Sequence, residues 1–139
     1  MGTKENKEFV RKFWEVAEKG DYDAFGDYIT EDSIDHNPMP GQPPGLAGVK
    51  YIFKSLKAAM PDFSEEIVDM VAEGDKVVVQ SISRGTHQGE LMGIPPTGKK
   101  LQVDEIHIVR IKDGKMTDHW GLFDQAAMMA QLGVTPGRN

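Results

Sequence analysis

Between Phe63 and Phe123 the chain carries four segments rich in Val, Ile and Thr: Phe63–Val71, Lys76–Thr86, Leu101–Ile111 and Lys115–Phe123. Branched side chains at this density favour a pleated, half-buried surface. Glu73–Gly74–Asp75 and Lys112–Asp113–Gly114 are short enough to join neighbours as hairpins. His87–Lys100 is a longer connection, with Gly89, Gly93, Pro95, Pro96 and Gly98 along it. Consecutive strands joined this tightly must run antiparallel, so the second half of the chain is committed to one sheet.

The first half reads as helix. From Thr3 to Lys19, Phe9, Phe13 and Val16 recur at helical spacing with Val10 and Ala17 beside them, and Gly20 is a stop. Asp21 can cap a second, short helix running to Ile29. Ser33–His36 reads as a short strand. It leads into Asn37–Gly45, where four prolines and two glycines in nine residues exclude a helix or a central strand. Leu46–Met60 forms a third helix, with Val49, Ile52, Phe53 and Leu56 as its apolar stripe and Pro61 beyond its end. Asp124–Leu132 closes the chain as a short helix, with Asp124 as N-cap and Gly133 as its stop. Helices first and antiparallel strands after is an α+β order, with a curved sheet covered by helices on one face.

Composition narrows the function classes. The 139 residues suit a single domain over 1–139. With no cysteine there is no disulfide framework, no thiolate nucleophile and no cysteine-based zinc site. A formal charge of 16 − 22 = −6 argues against a nucleic-acid surface. No apolar run approaches the roughly 20 residues of a membrane span, and residues 1–20 lack a secretory core. A cytoplasmic protein with no membrane partner is the expectation.

The Lys112–Asp113–Gly114 hairpin carries the candidate chemistry. If Gly114 takes the left-handed position after a type I turn, the loop has three residues and a bulge. Ile111 then pairs with Lys115, His107 with His119 and Glu105 with Gly121. Alternation gathers these residues on one face with Val103, Val109, Thr117 and Phe123. The other face would carry Ile106, Ile108, Met116, Trp120 and Leu122, with Asp104 and Asp118. A two-residue Asp–Gly loop is the competing register; it sets His107 opposite Trp120 and separates the histidines.

In the three-residue register, two imidazoles and a carboxylate share an apolar face. That mixture suits general acid–base catalysis, with Glu105 as base and His107 and His119 as proton donors or shuttles. The same pairs also serve as hydrogen-bonded filler beneath a helix. Two histidines and a carboxylate, joined by His36, are also the ligand types of a metal triad, but nothing in the spacing is diagnostic and no metal is expected. A serine nucleophile is disfavoured, since no Gly-x-Ser-x-Gly elbow occurs. Around this face, His36 and Asn37 at the start of the proline-rich loop, Trp14 on the first helix, and Gly121 and Phe123 on the last strand are the candidate ligand-binding residues. His87, beside Gly85 and Gly89, is expected to be exposed.

Three motifs occur in a characteristic order: Gly41–Gln42–Pro43–Pro44–Gly45, Gly93–Ile94–Pro95–Pro96–Thr97–Gly98 and Asp118–His119–Trp120–Gly121. With the order of elements they resemble the SnoaL-like polyketide cyclases, of the NTF2-like superfamily, over nearly the whole chain. The resemblance implies a cone-shaped α+β barrel: a strongly bent, mostly antiparallel sheet wrapped around N-terminal helices, with one deep cavity and often a homodimer or higher oligomer built on the outer sheet face. It also implies cofactor-free ring closure by intramolecular aldol chemistry on a small apolar or aromatic carbonyl ligand, assisted by a histidine that matches His107. Those cyclases place an acid where this chain has Gly121. Glu105 is the carboxylate expected to reach the same space. A ketosteroid-isomerase-like or hydrolase activity, or a binding domain without catalysis, remains open as an alternative.

Overall fold

The computed structural model describes residues 2–134. Its elements follow the order α1 (Thr3–Glu18), a 3₁₀ helix (Tyr22–Asp27), β1 (Ile29–Asp35), α2 (Gly45–Ala59), β2 (Ser64–Glu73), β3 (Lys76–Thr86), β4 (Lys100–Lys112), β5 (Lys115–Phe123) and α3 (Gln125–Leu132). The strands form one sheet in the order β1-β5-β4-β3-β2. β1 lies parallel to β5, and the other pairings are antiparallel. The expected α+β architecture is present: a curved sheet with helices packed on its concave side. The parallel β1–β5 pair is the piece that the hairpin signals could not provide, because β1 and β5 lie at opposite ends of the chain.

α1 buries Asn6, Val10, Phe13 and Trp14. These positions fall on one helical stripe, which presses into the sheet through Val77, Val79, Val109 and Ile111. Phe13 is the hub, meeting Phe25 at 5.0 Å and Phe53 at 6.1 Å in edge-to-face contacts. A second core closes the other end, with Ala59, the last residue of α2, and Met60 after it meeting Leu101 and Val103 of β4 and Met128 and Leu132 of α3. Asp124 caps α3 as expected, accepting from the Ala127 N–H at 3.0 Å.

The β4–β5 hairpin turns through the two-residue loop of the competing register, but beyond Ile111 its ladder follows neither register. Asp113 and Gly114 both have positive φ, 51° and 81°, so the turn is a two-residue loop of the I′ kind with Lys112 opposite Lys115. Two residues on, Ile111 pairs with Met116 and Arg110 with Asp118, which leaves Thr117 as an extra residue in β5. This bulge shifts the ladder, so that His107 faces Gly121, Val109 faces His119 and Glu105 faces Phe123. The bulge also restores the alternation that the short loop would have broken, and the histidines share a face after all. Met116 is moved from its expected outer position into the core.

His87 is another correction: it is 0% exposed rather than at the surface. Its Nδ1 lies 3.0 Å from Thr97 Oγ1 and accepts from the Thr97 N–H at 3.3 Å. The ring thereby ties together the two ends of the Gly- and Pro-rich connection between β3 and β4.

Candidate active site

Two apolar chambers, of about 110 Å³ and about 130 Å³, lie between α2 and the sheet. Ile52 of α2 lines both. Trp14, Phe53 and Val109 help to wall the first, which also meets Asp35, Gln42, Glu65, His107 and His119. The second is lined by Met39, Met60, Met92, Met128 and Phe123, and by Glu105 as its carboxylate.

One hydrogen-bonded chain runs along the sheet between them. His107 Nε2 lies 2.9 Å from Glu105 Oε1 and 3.1 Å from Glu65 Oε2. His107 Nδ1 lies 2.9 Å from His119 Nε2. His119 Nδ1 then reaches Asp35 Oδ1 at 3.2 Å. Four strands contribute: β2 supplies Glu65, β4 supplies Glu105 and His107, β5 supplies His119, and β1 supplies Asp35. Each outer carboxylate has further donors. Ser83 donates to Glu105, Ser81 donates to Glu65 at 2.7 Å, and Gln42 of the proline-rich loop donates to Asp35 at 3.0 Å.

The electrostatics follow from this wiring. Burial alone would lower the pKa of His107, but hydrogen bonds and charge attraction from Glu105 and Glu65 overcome it and raise the value to about 10. Burial would raise Glu65, yet the His107 hydrogen bond and charge, with Ser81 and the Trp14 indole, hold it below the ordinary glutamate value. The Trp14 N–H is buried without a full hydrogen-bond partner, close enough to favour the charged carboxylate. Asp35 is likewise pushed up by burial, and is pulled down to about 2 by His119, Gln42 and the Asn37 N–H.

The expected site residues separate into groups. His107 and His119 line the first chamber with Trp14, and Glu105 and Phe123 line the second. Asn37 works as a latch, its Oδ1 accepting from the Gly121 N–H at 3.1 Å. His36 does not join the chamber lining: it stacks on Trp120 with ring centres 4.2 Å apart and planes 4° apart, and contacts Asp118 Oδ2 at 2.9 Å. Its neighbour Asp35 takes the inward position, as alternation along a strand requires. Asp35 lies within the Ser33–His36 segment that the sequence marks as a strand. Glu65 gave no signal, because its segment carries several acids and only the strand order brings this one to His107.

Glu65, Glu105 and His107 offer ligand atoms that all lie within 4.8 Å of one another, a donor set of two carboxylates and one imidazole suited to a divalent cation. Such an ion would have to take the place of the proton that His107 Nε2 shares with both carboxylates.

Residues 7–132 match the sequence profile of the SnoaL-like polyketide cyclase family. The chain is 30% identical over 135 residues to the aklanonic acid methyl ester cyclase DauD of Streptomyces sp. (strain C5), covering 91% of this chain and 80% of that one. It is also 30% identical over 118 residues to the nogalonic acid methyl ester cyclase of Streptomyces nogalater, covering 82% and 87%. Among solved structures it resembles IdmH from Streptomyces antibioticus, with a TM-score of 0.79 and 31% identity over 93% of this chain and 99% of that one.

Proposed function

This chain belongs to the SnoaL-like polyketide cyclase family, and from that premise we propose that it closes a ring by intramolecular aldol-type chemistry on a small apolar or aromatic carbonyl compound, without a cofactor. The observation that carries this reading is the Asp35–His119–His107 chain along the wall of an apolar chamber.

The reaction needs a proton moved off one carbon and a proton returned to an oxygen. A base takes a proton from the carbon beside a carbonyl, and the C–H electron pair becomes an enolate. The enolate carbon attacks a second carbonyl of the same molecule, a C–C bond forms, and the resulting alkoxide recovers the proton. Atoms and electrons balance within the substrate, so side chains suffice. We assign the base to Asp35 rather than to the expected Glu105. Asp35 lines the first chamber and keeps acceptor capacity on Oδ2 beside Gln42, whereas Glu105 is held by Ser83 and His107 and faces the second chamber. A carboxylate near pKa 2 is a weak base in the empty site. An apolar ligand that displaces water around it raises its proton affinity, and the His119 N–H then stabilises whichever oxygen carries charge.

Aklanonic and nogalonic acid methyl esters, the compounds in the relatives' names, are the first substrates to try. The expected result is a cyclised product of unchanged mass, with Asp35→Asn lowering turnover on the order of 10²–10⁴-fold. Full turnover by Asp35→Asn would sink the assignment. Tight binding with no turnover by the wild type would favour the non-catalytic binding domain. We also propose a homodimer on the outer sheet face, where Ile106 and Leu122 pair across the ladder and are 48% and 71% exposed.

A further inference from the structure

We infer that Glu65 and Glu105 together hold His107 doubly protonated, as a fixed donor to His119, and that Glu65 is therefore a positioning residue of the site. The argument starts from Nε2 of His107. Two carboxylate oxygens lie within 3.1 Å of it, and both can only accept. A bare ring nitrogen there would set its lone pair against two negative oxygens, so Nε2 carries a proton. The other nitrogen meets His119 Nε2 at 2.9 Å, and one partner must donate.

The surroundings decide which. Around His107 stand Glu65 from β2, Glu105 from its own strand, His119 from β5 with Asp35 behind it, and the Trp14 ring of α1, edge-to-face with ring centres 5.5 Å apart. Among the described residues, no Lys or Arg lines this chamber. Two adjacent anions favour the imidazolium, which donates from Nδ1 as well. His119 then accepts on Nε2, keeps its own proton on Nδ1 and donates it to Asp35 Oδ1. Donation therefore diverges from His107: Nε2 donates to the buried carboxylates, and Nδ1 donates toward His119 and, through it, Asp35. His107 thus serves as a strut that sets the tautomer of His119, and the exchangeable proton belongs to the His119–Asp35 pair.

Sequence alone assigned no role to Glu65, but its environment is built for one. Its side chain is 7% exposed, with Ser81 donating to it at 2.7 Å and the otherwise unpartnered Trp14 indole beside it.

The inference gives the cyclase reading its proton route, but its first test needs no substrate. Histidine ¹⁵N NMR on the ligand-free protein should show both nitrogens of His107 protonated from pH 6 to 9, and His119 carrying its proton on Nδ1. Glu65→Gln should lower the His107 midpoint by roughly one to three pH units, the effect of losing one adjacent opposite charge. Ser81→Ala, a milder change, should lower it by less. A His107 that titrates near the ordinary histidine value in the wild type overturns the inference, and so does a midpoint that Glu65→Gln leaves unmoved. Loss of the Nε2 proton on adding zinc, reversed by chelation, would assign the carboxylates to a cation and overturn it as well. With an active substrate, Glu65→Gln should move the alkaline limb of the kcat profile to lower pH with little change in KM. An unshifted limb beside the expected NMR result would overturn the positioning role and leave the protonation state standing.

Discussion

His107 Nδ1 and His119 Nε2 lie 2.9 Å apart although neither residue is the other's ladder partner. The contact is diagonal, and it passes over Gly121, the residue directly opposite His107. A Cβ built on Gly121 would stand 2.6 Å from His119 Cε1 and 3.2 Å from His107 Nδ1. The missing side chain at position 121 and the histidine pair are therefore one feature. An acid placed there would occupy the volume the pair now uses.

Gly121→Ala should accordingly break the pair while leaving the strand intact, since the backbone at 121 is not in the left-handed region. The expected cost is about 1–3 kcal/mol from overpacking. The His107 and His119 ring resonances should lose their mutual coupling and Asp35-dependent shifts. Unchanged stability with unchanged histidine spectra would show that the strand yields and that the glycine is not required.

The carboxylates and His107 also predict how stability depends on pH. His107 is raised from 6.5 to about 10, so its contribution is complete below about 6.5 and is lost as pH climbs through about 10. Asp35 is lowered from 3.8 to about 2, so its contribution is complete above about 3.8 and is lost as pH falls through about 2. Urea midpoints for the wild type should fall on both sides of a neutral plateau. In His107→Gln the alkaline fall should shrink, and in Asp35→Asn the acid one should. The difference between wild type and variant is the quantity to compare.

The element order was legible because it rests on local rules: helical stripes, turn residues and the Asp124 cap. The hairpin was legible in parity but not in register. A type I′ turn and a bulge at Thr117 each shift the ladder by one residue in the same direction, and period-2 alternation does not record a net shift of two. The site was half legible for a related reason. His107, His119 and Glu105 lie on one hairpin, so counting along two strands finds them. Glu65 and Asp35 arrive through the antiparallel β3–β2 edge and the parallel β1–β5 pair, which are properties of the whole sheet. His36 lies outside the first chamber because two adjacent residues ending a strand point to opposite faces, and only the sheet decides which one faces inward.

His87 tests whether the connection between β3 and β4 is a fixed roof. Its Nδ1 satisfies the Thr97 N–H and meets the Thr97 hydroxyl, while Leu91 and Met92 from the same segment line the second chamber. His87→Leu keeps the apolar bulk but leaves Thr97 without that acceptor, at a cost of about 1–3 kcal/mol. Amide exchange should rise across residues 87–99 and stay unchanged in β5. A loss below about 0.5 kcal/mol, the range of an unremarkable substitution, would mean that the segment is held by its backbone contacts to Ala59 and needs no histidine.

The outer face of the sheet supplies the last test. Ile106 and Leu122 form a directly paired, exposed apolar step, and Trp120 stands two residues from Leu122 on the same side. Trp120 is already occupied: His36 stacks on it, and Lys76 and Arg110 approach its ring at 5.1 and 5.4 Å. Those cations frame the apolar step with polar groups, the pattern of a rimmed interface. Sedimentation at micromolar concentration should give twice the chain mass. Changing both Ile106 and Leu122 to Lys should give a folded monomer, because like charges would then face each other across the two-fold contact. Neither side chain reaches the Asp35–His119–His107 chain, so the monomer should keep the same histidine spectra. A wild type that sediments as a monomer would remove the dimer from the proposal and leave the site untouched.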